Sequence, residues 1–557
     1  MKSQKTKIKH HSFLTYTFIL LMTAALSAQK NYYVSSTNGN DKNKGTENAP
    51  WKSLQKISKA QLNPGDKILF KKGDVFVGHF NINGSGSAKK PIVITSYGIG
   101  AQPIFSGQVG PQQGGDYQEA ILVHNQEHIH FFDLEIQNNR LSPRTGVRDQ
   151  DAFGIYVLND GNRTLKDYSF KKITVKNVYA PKPILKEKGE QAFNGLEVAG
   201  IRFFSSFNTK NNIKNIQGVL IEDCYFTDIQ RLGVHIKHGG GAKSHTSKKQ
   251  NCNSDIVLRN NKFHKTGGTC ILPIRTYNCL IEKNIFDRPG DNSDPRMANR
   301  GSAVWTWTCY NTVIQYNDCL HIRGYLDSHG IHVDHNNVNT FIQYNYMEDC
   351  EGGFVEILGG NKNSVYRFNV SINDGWRANP KWKTSNHTIW LNNVVPKGKH
   401  YPTESYIYNN TIYIDQPYAT SIDIKGENSY IYNNIFCAIN NSNIGNKQVH
   451  IDTNNTDLFV SNNLYHGSIN KRFTNLDKAP LFTNPNFVDA TSHTREGFIL
   501  KANSSAIDAG ISKLGPPVEG AGKGIFKDIS TYPKTDFYGN PVNFKKQTPN
   551  IGACNAK

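Results

Sequence analysis

Short segments in the middle of the chain alternate aliphatic residues with imidazole, carboxylate, amine or indole side chains. In the segment 330–335 (GIHVDH), Ile331 and Val333 alternate with His332 and Asp334, so an extended strand places the two polar side chains on one face. Five further segments follow the same pattern, and they are GVHIKH (233–238), TCILPIR (269–275), AVWTW (303–307), GFVEIL (353–358) and HTIWL (387–391). If the six strands stack in register, their polar side chains form one continuous surface.

This surface would combine groups for proton transfer with groups that bind sugars. Imidazole, carboxyl and amine side chains transfer protons, aromatic rings stack on sugar rings, and cations bind carboxylates or sulfates. The predicted catalytic residues are His332, Asp334, Lys237, His335 and Glu356. The predicted substrate-binding residues are Arg275, Trp305, Trp307, His235, His329 and Asp327. A spacing of ~4.8 Å between stacked strands would gather the outward residues within roughly 20 Å.

The reaction that these groups favour is β-elimination at a uronate, by a lyase or a dehydratase. Removal of the C5 proton needs a base, and a cation must neutralise the adjacent carboxylate. We predict that His332 transfers the proton, oriented by Asp334 or His335, and that Lys237 and Arg275 hold the carboxylate. The product would carry a 4,5-unsaturated uronyl end. The preference rests on the excess of imidazoles and cations over carboxylates on this surface.

Glycoside hydrolysis is the alternative. It requires two carboxyl groups, about 5–5.5 Å apart for retention of the anomeric configuration or about 6.5–9.5 Å apart for inversion. Asp334 and Glu356 come from neighbouring segments, so either separation is within reach, and Asp327 is a further candidate.

Two non-catalytic roles remain open. A glycan-binding solenoid would need no convergent titratable groups, and the cluster of His332, Asp334 and His335 also suits a metal site or structural hydrogen bonds. We predict no cofactor and no metal ligands at this surface, with bound Ca²⁺ left open.

An asparagine recurs in one short pattern, apolar-x-x-Asn, along much of the chain. The repeated residues are Asn261, Asn284, Asn317, Asn345, Asn369, Asn410, Asn434 and Asn463, and Cys224 occupies the same position earlier. Intervals of 23 to 41 residues suit the coils of a β-solenoid with loop insertions, and Ile, Val, Tyr and Phe at period two indicate strands. Asn tolerates left-handed backbone, and its amide can bond the neighbouring coil. The sequence therefore predicts an all-β fold, a single-stranded right-handed parallel β-helix.

The chain divides into four predicted parts. Residues 1–28 have a lysine-rich start, an apolar run and then small residues, which is typical of a secretory signal peptide. Residues 29–91 form an N-terminal cap and the first strands, with a short capping helix in PWKSLQKI (50–57) that covers the open end of the solenoid. Residues 92–467 form the β-helix and residues 468–557 a closing segment. The nine cysteines lack CxxC pairs, which argues against a zinc site or a disulfide scaffold.

The chain is basic, with 64 Lys and Arg against 45 Asp and Glu and a formal net charge of +19. Such a charge attracts anionic polymers. Because an exported protein rarely meets nucleic acid, we predict an anionic polysaccharide or oligosaccharide as partner and no nucleic acid. We further predict a monomer with no membrane insertion, periplasmic or secreted after removal of the signal peptide.

Three stretches carry a resemblance to a known group of proteins. They are the opening YYVSSTNGNDKNKGT with PWKSLQKI and PGDKILFKKGD, the asparagine repeat, and IQYNYMEDCEGGFVEILGG followed by VYRFNVSINDGWR. Over nearly the whole mature chain they resemble the parallel β-helix carbohydrate-active enzymes of marine Bacteroidetes. That group holds polysaccharide lyases, an ulvan-oligosaccharide dehydratase and glycoside hydrolases that include endo-fucanases. The resemblance implies the fold and an activity on uronate-containing, sulfated algal glycans, but it leaves the reaction open because the shared motifs are structural.

Overall fold

The chain forms a parallel β-helix, as predicted. The computed structural model describes residues 29–107, 117–141, 148–181, 195–209, 211–240, 249–324, 326, 328–377, 386–393, 400–451, 457–545 and 548–555. Strands of successive coils pair in parallel along the described chain. The predicted signal peptide lies outside the described residues.

Each coil contributes strands to three faces. The first face is a stack that comprises Asn31–Val34, Lys67–Lys71, Ile92–Tyr97, Ile129–Asn139, Leu165–Tyr179, Ile216–Glu222, Asn253–Arg259, Thr276–Glu282, Tyr310–Gln315, Val338–Gln343, Lys362–Arg367, Thr403–Tyr408, Glu427–Tyr432 and Phe459–Ser461. The second face comprises Val75–Val77, Ile104–Ser106, Tyr225–Ile229, Lys262–Thr266, Ile285–Pro289, Asp318–Leu320, Tyr346–Glu348, Val370–Ile372, Thr411–Ile414, Ile435–Ala438, Leu464–Gly467 and Leu481–Phe482. Two long strands, Ile129–Asn139 and Leu165–Tyr179, continue from the first face into the second.

The third face contains the segments singled out for chemistry, and we call it the twelve-stranded face. Its strands are Phe80–Asn81, Glu119–His124, Asp151–Asn159, Glu197–Ser205, Leu232–His238, Ile271–Ile274, Val304–Thr306, Ile331–Val333, Gly353–Ile357, His387–Leu391, Ala419–Ile424 and Asn443–Ile451. The segments that alternate in sequence are therefore neighbours in space.

The asparagine repeat forms a hydrogen-bond ladder at the turn between the first and second faces. Each side-chain oxygen accepts from the backbone N–H and from Nδ2 of the asparagine one coil earlier, at 2.9–3.1 Å. The ladder begins at Cys224, whose N–H donates to Asn261, and ends at Asp477, which accepts from Asn463. The predicted single column of asparagines is confirmed.

The left-handed residue of this turn is one position earlier than predicted. The residue before each ladder asparagine has φ between 51° and 58°, and these residues are Asn260, Lys283, Tyr316, Tyr344, Phe368, Asn409, Asn433 and Asn462. Asparagine is therefore selected at the ladder position for its amide, which satisfies a buried backbone N–H, and not for its backbone freedom.

Two short α-helices lie wholly within the described residues. The predicted capping helix is confirmed as Leu54–Ser58; its N-cap Ser53 accepts from the N–H of Lys56, and it buries Leu54 and Ile57. The helix Lys471–Thr474 follows the last long coil and buries Phe473 against Phe436. Within the described ranges, no helix has the length and apolar character needed to span a membrane. The predicted boundaries between the four parts stay predictions.

The closing segment returns along the outside of the solenoid. Phe526 and Phe544 pack in one buried cluster with Phe341 on the first face. The carbonyl oxygens of Ile511 and Glu519 accept from side-chain amides of the solenoid, those of Asn433 and Asn311, at 3.0 Å. All nine cysteines lie in the described ranges, are buried and form no disulfide.

We expect the substitution Asn317→Ala to destabilise the fold by about 3 kcal/mol or more, because it leaves several buried groups without a partner. The N–H and Nδ2 of Asn284 would lose their acceptor, and the carbonyl of Ile281 would lose its donor. Denaturant unfolding measures the effect. Asn503→Ala, at an exposed position in the closing segment, is the control and should change stability little; equal stability of the two variants would contradict the structural role of the ladder.

Candidate active site

The predicted alternation is confirmed in the strand Ile331–Val333. Ile331 and Val333 lie in the core at 0% exposure, and His332 between them points outward. The register aligns Trp305 with His332, and Glu356 with Trp390, in one outward column.

Glu356 lies between two imidazole rings. Its Oε2 is 2.6 Å from Nδ1 of His329, and its Oε1 is 3.3 Å from Nε2 of His332. The exposed fractions are 0% for Glu356 and 1% for each histidine. The prediction that His332 and Glu356 face solvent is therefore wrong, since both point away from the core but are closed off from water. One carboxylate is therefore within ion-pair distance of two imidazoles.

Trp305 joins this group to Asp334. Its indole stacks on the ring of His332 with centroids 5.1 Å apart and an interplanar angle of 4°, and its Nε1 donates to Asp334 Oδ2 at 2.6 Å. The backbone N–H and Nδ1 of His335 also contact Asp334 Oδ1. Burial raises the pKa of Asp334, but its bonds with His335 and the charges of His332 and His335 outweigh burial and hold the pKa below 3.8. Asp334 is thus an ionised carboxylate at neutral pH.

Sequence reasoning recognised the strand His387–Leu391 but did not select its aromatic side chains. Trp390 lies beside Glu356 in the outward column, with its ring 6.1 Å from that of His329. His387 stacks on Trp390 at 4.5 Å and 11°. Simple alternation with Ile389 and Leu391 indicates that Trp390 faces outward. It fails for His387 because the register shifts between His387 and Ile389.

Lys237 and His235 belong to a second group on the same face. His235 occupies the outward column three strands before His332, which at ~4.8 Å per strand is roughly 14 Å away. Both residues lie within the predicted 20 Å span. Lys237 thus belongs to a different group from His332, and its predicted role in binding a carboxylate stays a prediction.

The second group is organised around an ion pair. Arg202 donates to Glu197 and lies over the ring of Phe153 at 4.9 Å. Burial raises the pKa of Glu197, but the charges of Arg202, His235 and nearby cations lower it to about 2. Burial, followed by the charge of Arg202, lowers the pKa of His235 well below its ordinary value, and burial also lowers the pKa of Lys237.

The remaining predicted residues lie at the margins of these two groups. Trp307 is 43% exposed and bridges to Ile274. Arg275 has φ 54° and donates from Nη1 to the carbonyl oxygen of His238 at 3.3 Å. Asp327 lies outside the described residues. Nowhere in the described ranges do three His, Cys, Asp or Glu side chains converge as a metal site requires.

Comparisons with known proteins point to glycoside hydrolases. No protein-family profile matches the chain. The lacto-N-biosidase of Bifidobacterium longum subsp. longum is 24% identical over 95% of the chain, which spans only 36% of the length of that relative. Two crystal structures of the GH136 lacto-N-biosidase from Eubacterium ramulus, native and selenomethionine-substituted, align with a TM-score of 0.51 and 18% identity. Each alignment covers 82% of this chain and 67% of the lacto-N-biosidase chain, which shows a shared fold.

These findings correct the predicted reaction. The relatives are glycoside hydrolases, so the prediction of a polysaccharide lyase or dehydratase is wrong, and the alternative of a hydrolase is favoured. The resemblance to parallel β-helix carbohydrate-active enzymes is confirmed at the level of fold, whereas nothing in the comparisons supports the specific likeness to marine enzymes that act on ulvan.

Glu197→Gln tests the charge balance of the second group. A carboxylate with a folded-state pKa of about 2 and an ordinary value of 4.5 stabilises the fold above pH 4.5 and loses that effect as pH falls toward 2. We expect the variant to be less stable than the parent protein at neutral pH and to approach it near pH 2. Urea unfolding across this range measures the difference. Glu427→Gln, at an exposed position, should show no such pH-dependent gap; a gap that stays constant with pH would contradict the assignment.

Proposed function

We propose that the protein hydrolyses a glycosidic bond of an oligosaccharide, with Asp334 as one of the two catalytic carboxyl groups. The observation that carries the proposal is the setting of Asp334, which is ionised, held by an indole N–H and by His335, and placed beside a stacked indole and imidazole. An ionised carboxylate can act as nucleophile or general base, and aromatic rings bind the apolar faces of sugars. The sequence similarity to a lacto-N-biosidase supports the same reaction.

The second carboxyl group, which must protonate the leaving oxygen, is supplied by Glu356 or by Asp327. Outward positions on one strand are ~6.6 Å apart, and neighbouring strands are ~4.8 Å apart. The Cα atoms of Asp334 and Glu356 are therefore separated by roughly 8 Å. Side chains on Cα atoms this far apart can bring their carboxyl groups to either of the separations that hydrolysis requires. However, Glu356 already contacts two imidazoles and is fully buried, which equally suits a residue that positions His329 and His332. Asp327 is two positions before His329 in the chain.

The surroundings of Asp334 favour a neutral sugar at the bond that is cleaved. Its described neighbours are indole and imidazole rings, and one guanidinium, that of Arg300, lies 5.8 Å from the ring centroid of Trp305. We propose a substrate with a neutral terminal disaccharide such as lacto-N-biose. An anionic substituent, which the net charge of +19 still favours, would bind near Lys237, two or three sugar units away. Export to the periplasm or medium and a monomeric state stay predictions.

The decisive assay combines two readouts on one substrate panel. The protein is incubated with an aryl glycoside of lacto-N-biose and with neutral, sulfated and uronate-containing oligosaccharides. New reducing ends without ultraviolet absorbance of an unsaturated uronate support hydrolysis. Absorbance that rises with each cleavage, or no cleavage of any substrate, would reject the proposal.

We expect Asp334→Asn to lower kcat by about 10²–10⁴-fold, because it removes an ionised group from the reaction without changing its shape. Asp508→Asn, at an exposed site in the closing segment, should retain full activity. Glu356→Gln and Asp327→Asn identify the second carboxyl group. Only the variant that lacks the general acid should lose activity on ordinary substrates and regain it on substrates with an activated leaving group. Full activity of Asp334→Asn would overturn the assignment.

Trp305→Phe keeps a ring beside His332 but removes the N–H that donates to Asp334. A carboxylate that loses a donor becomes harder to ionise, so the pKa of Asp334 should rise. We therefore expect the acid limb of the pH profile of kcat/KM to move to higher pH. The matched variant Trp390→Phe removes an indole that, among the described contacts, does not donate to Asp334, and it should leave this limb in place. An unchanged limb in both variants would argue against Asp334 as the titrating group.

A further inference from the structure

A cavity of about 520 Å³ lies away from the Asp334 group. Its walls include His321, Glu348, Asp349, Trp376, Tyr418 and His493. This volume falls in the range of roughly 300–1,000 Å³ that is usual for sites that bind small ligands. None of the contacts described for Asp334 or Glu356 involves these residues, so the cavity requires its own explanation.

The cavity shares its coils with the candidate active site. The strand Asp318–Leu320 ends beside His321, and the strand Tyr346–Glu348 ends at Glu348. The same two coils continue into Ile331–Val333 and Gly353–Ile357, which hold His332 and Glu356. The cavity is thus on the second face, one corner before the strands of the active site.

Two aromatic side chains in the cavity wall are held in place by the protein itself. Trp376 donates from Nε1 to Asp349 Oδ1 at 2.5 Å, and the guanidinium of Arg323 lies 4.8 Å from its ring centroid. Arg323 in turn pairs with Asp349 at 2.5 Å. The hydroxyl of Tyr418 donates to the carbonyl oxygen of Asp374 at 3.4 Å. Both rings are only partly buried, so they offer a rigid apolar surface at little entropic cost to a ligand.

Polar groups around these rings each retain a position for a ligand. Asp287 engages Nδ1 of His321 at 2.9 Å, and Asp415 engages Nε2 of His493 at 2.7 Å. The hydroxyl of Tyr346 donates to Glu348 Oε2 at 3.0 Å. Within the described contacts, the second ring nitrogen of each histidine and Oε1 of Glu348 remain open to a ligand. Such a set of donors and acceptors matches sugar hydroxyl groups, which both donate and accept.

We propose that this cavity is a second saccharide-binding site, which holds a neutral sugar unit of the glycan away from the bond that is cleaved. An aromatic surface flanked by a carboxylate and imidazoles is suited to a sugar ring. The described lining of the cavity contains two carboxylates, Glu348 and Asp349, and no Lys or Arg, which disfavours sulfated or uronate units here. This inference rests on the proposed function for the identity of the glycan.

Calorimetric titration tests the site directly. Neutral oligosaccharides of two to six units are titrated into protein that carries Asp334→Asn, so that little ligand is cleaved during the titration. Adding Trp376→Ala should weaken the affinity for the longer oligosaccharides by about fivefold, which corresponds to a ring contact worth about 1 kcal/mol. Trp376→Phe should retain most of the affinity, because it keeps an aromatic surface.

Two controls separate binding from folding and from catalysis. Phe132→Ala removes a different aromatic side chain, 41% exposed, and should leave the affinity unchanged. In protein with an intact Asp334, Trp376→Ala should raise KM for long oligosaccharides and leave the hydrolysis of a short aryl glycoside unchanged. Glu348→Gln, which preserves shape, provides a second variant if Trp376→Ala does not fold.

Each outcome has a clear meaning. Equal affinity of the parent and the Trp376 and Glu348 variants, or no binding of any neutral oligosaccharide by the parent, overturns the second site. An equal loss on the short aryl glycoside would make the cavity part of the active site and would also overturn it. If no substrate is hydrolysed but Trp376→Ala still weakens binding, the proposed function fails and the second site stands.

Discussion

The buried amide ladder is the interaction on which the rest of the structure depends. Each ladder asparagine bonds both the backbone and the side chain of its counterpart one coil earlier, so a coil that slipped by one residue would leave two donors without an acceptor. In a parallel stack, such a slip would also move every side chain to the opposite face. The column that brings Trp305, His332 and Glu356 together on a different face therefore depends on bonds made at the asparagine turn.

The features that could be predicted from the sequence are those that depend on local periodicity. The asparagine repeat and the alternation around Val333 predicted the fold and the outward direction of His332, because both follow from the geometry of one coil. The burial of Glu356 could not be predicted in this way, since it depends on how the rest of the chain encloses the face. His387 was missed because a local shift of register breaks the alternation. The reaction was misjudged because residues were counted on the whole face, whereas Lys237 and His332 lie three strands apart.

Each of the two groups on the twelve-stranded face contains a buried carboxylate whose pKa is lowered, but different partners lower it. Asp334 and Glu197 both remain ionised, the former through His335 and His332 and the latter chiefly through Arg202. The carboxylate of Asp334 is held by hydrogen bonds from an indole and from His335. Glu197 is paired with a guanidinium that also lies over the ring of Phe153. Burial is therefore offset chiefly by a hydrogen bond from His335 in one group and by the charge of Arg202 in the other.

The closing segment has an evolutionary consequence for the number of coils. Solenoids ordinarily gain or lose repeats easily, because each repeat contacts only its neighbours. Here Ala509 bonds to Asn462, and Glu519 bonds to Asn311, five coils away. Ten residues extend at most about 35 Å, and five coils already span about 24 Å along the axis. Duplication of more than about two coils between Asn311 and Asn462 would exceed the reach of residues 509–519. This part of the solenoid therefore cannot gain more coils than that unless residues 509–519 lengthen with it.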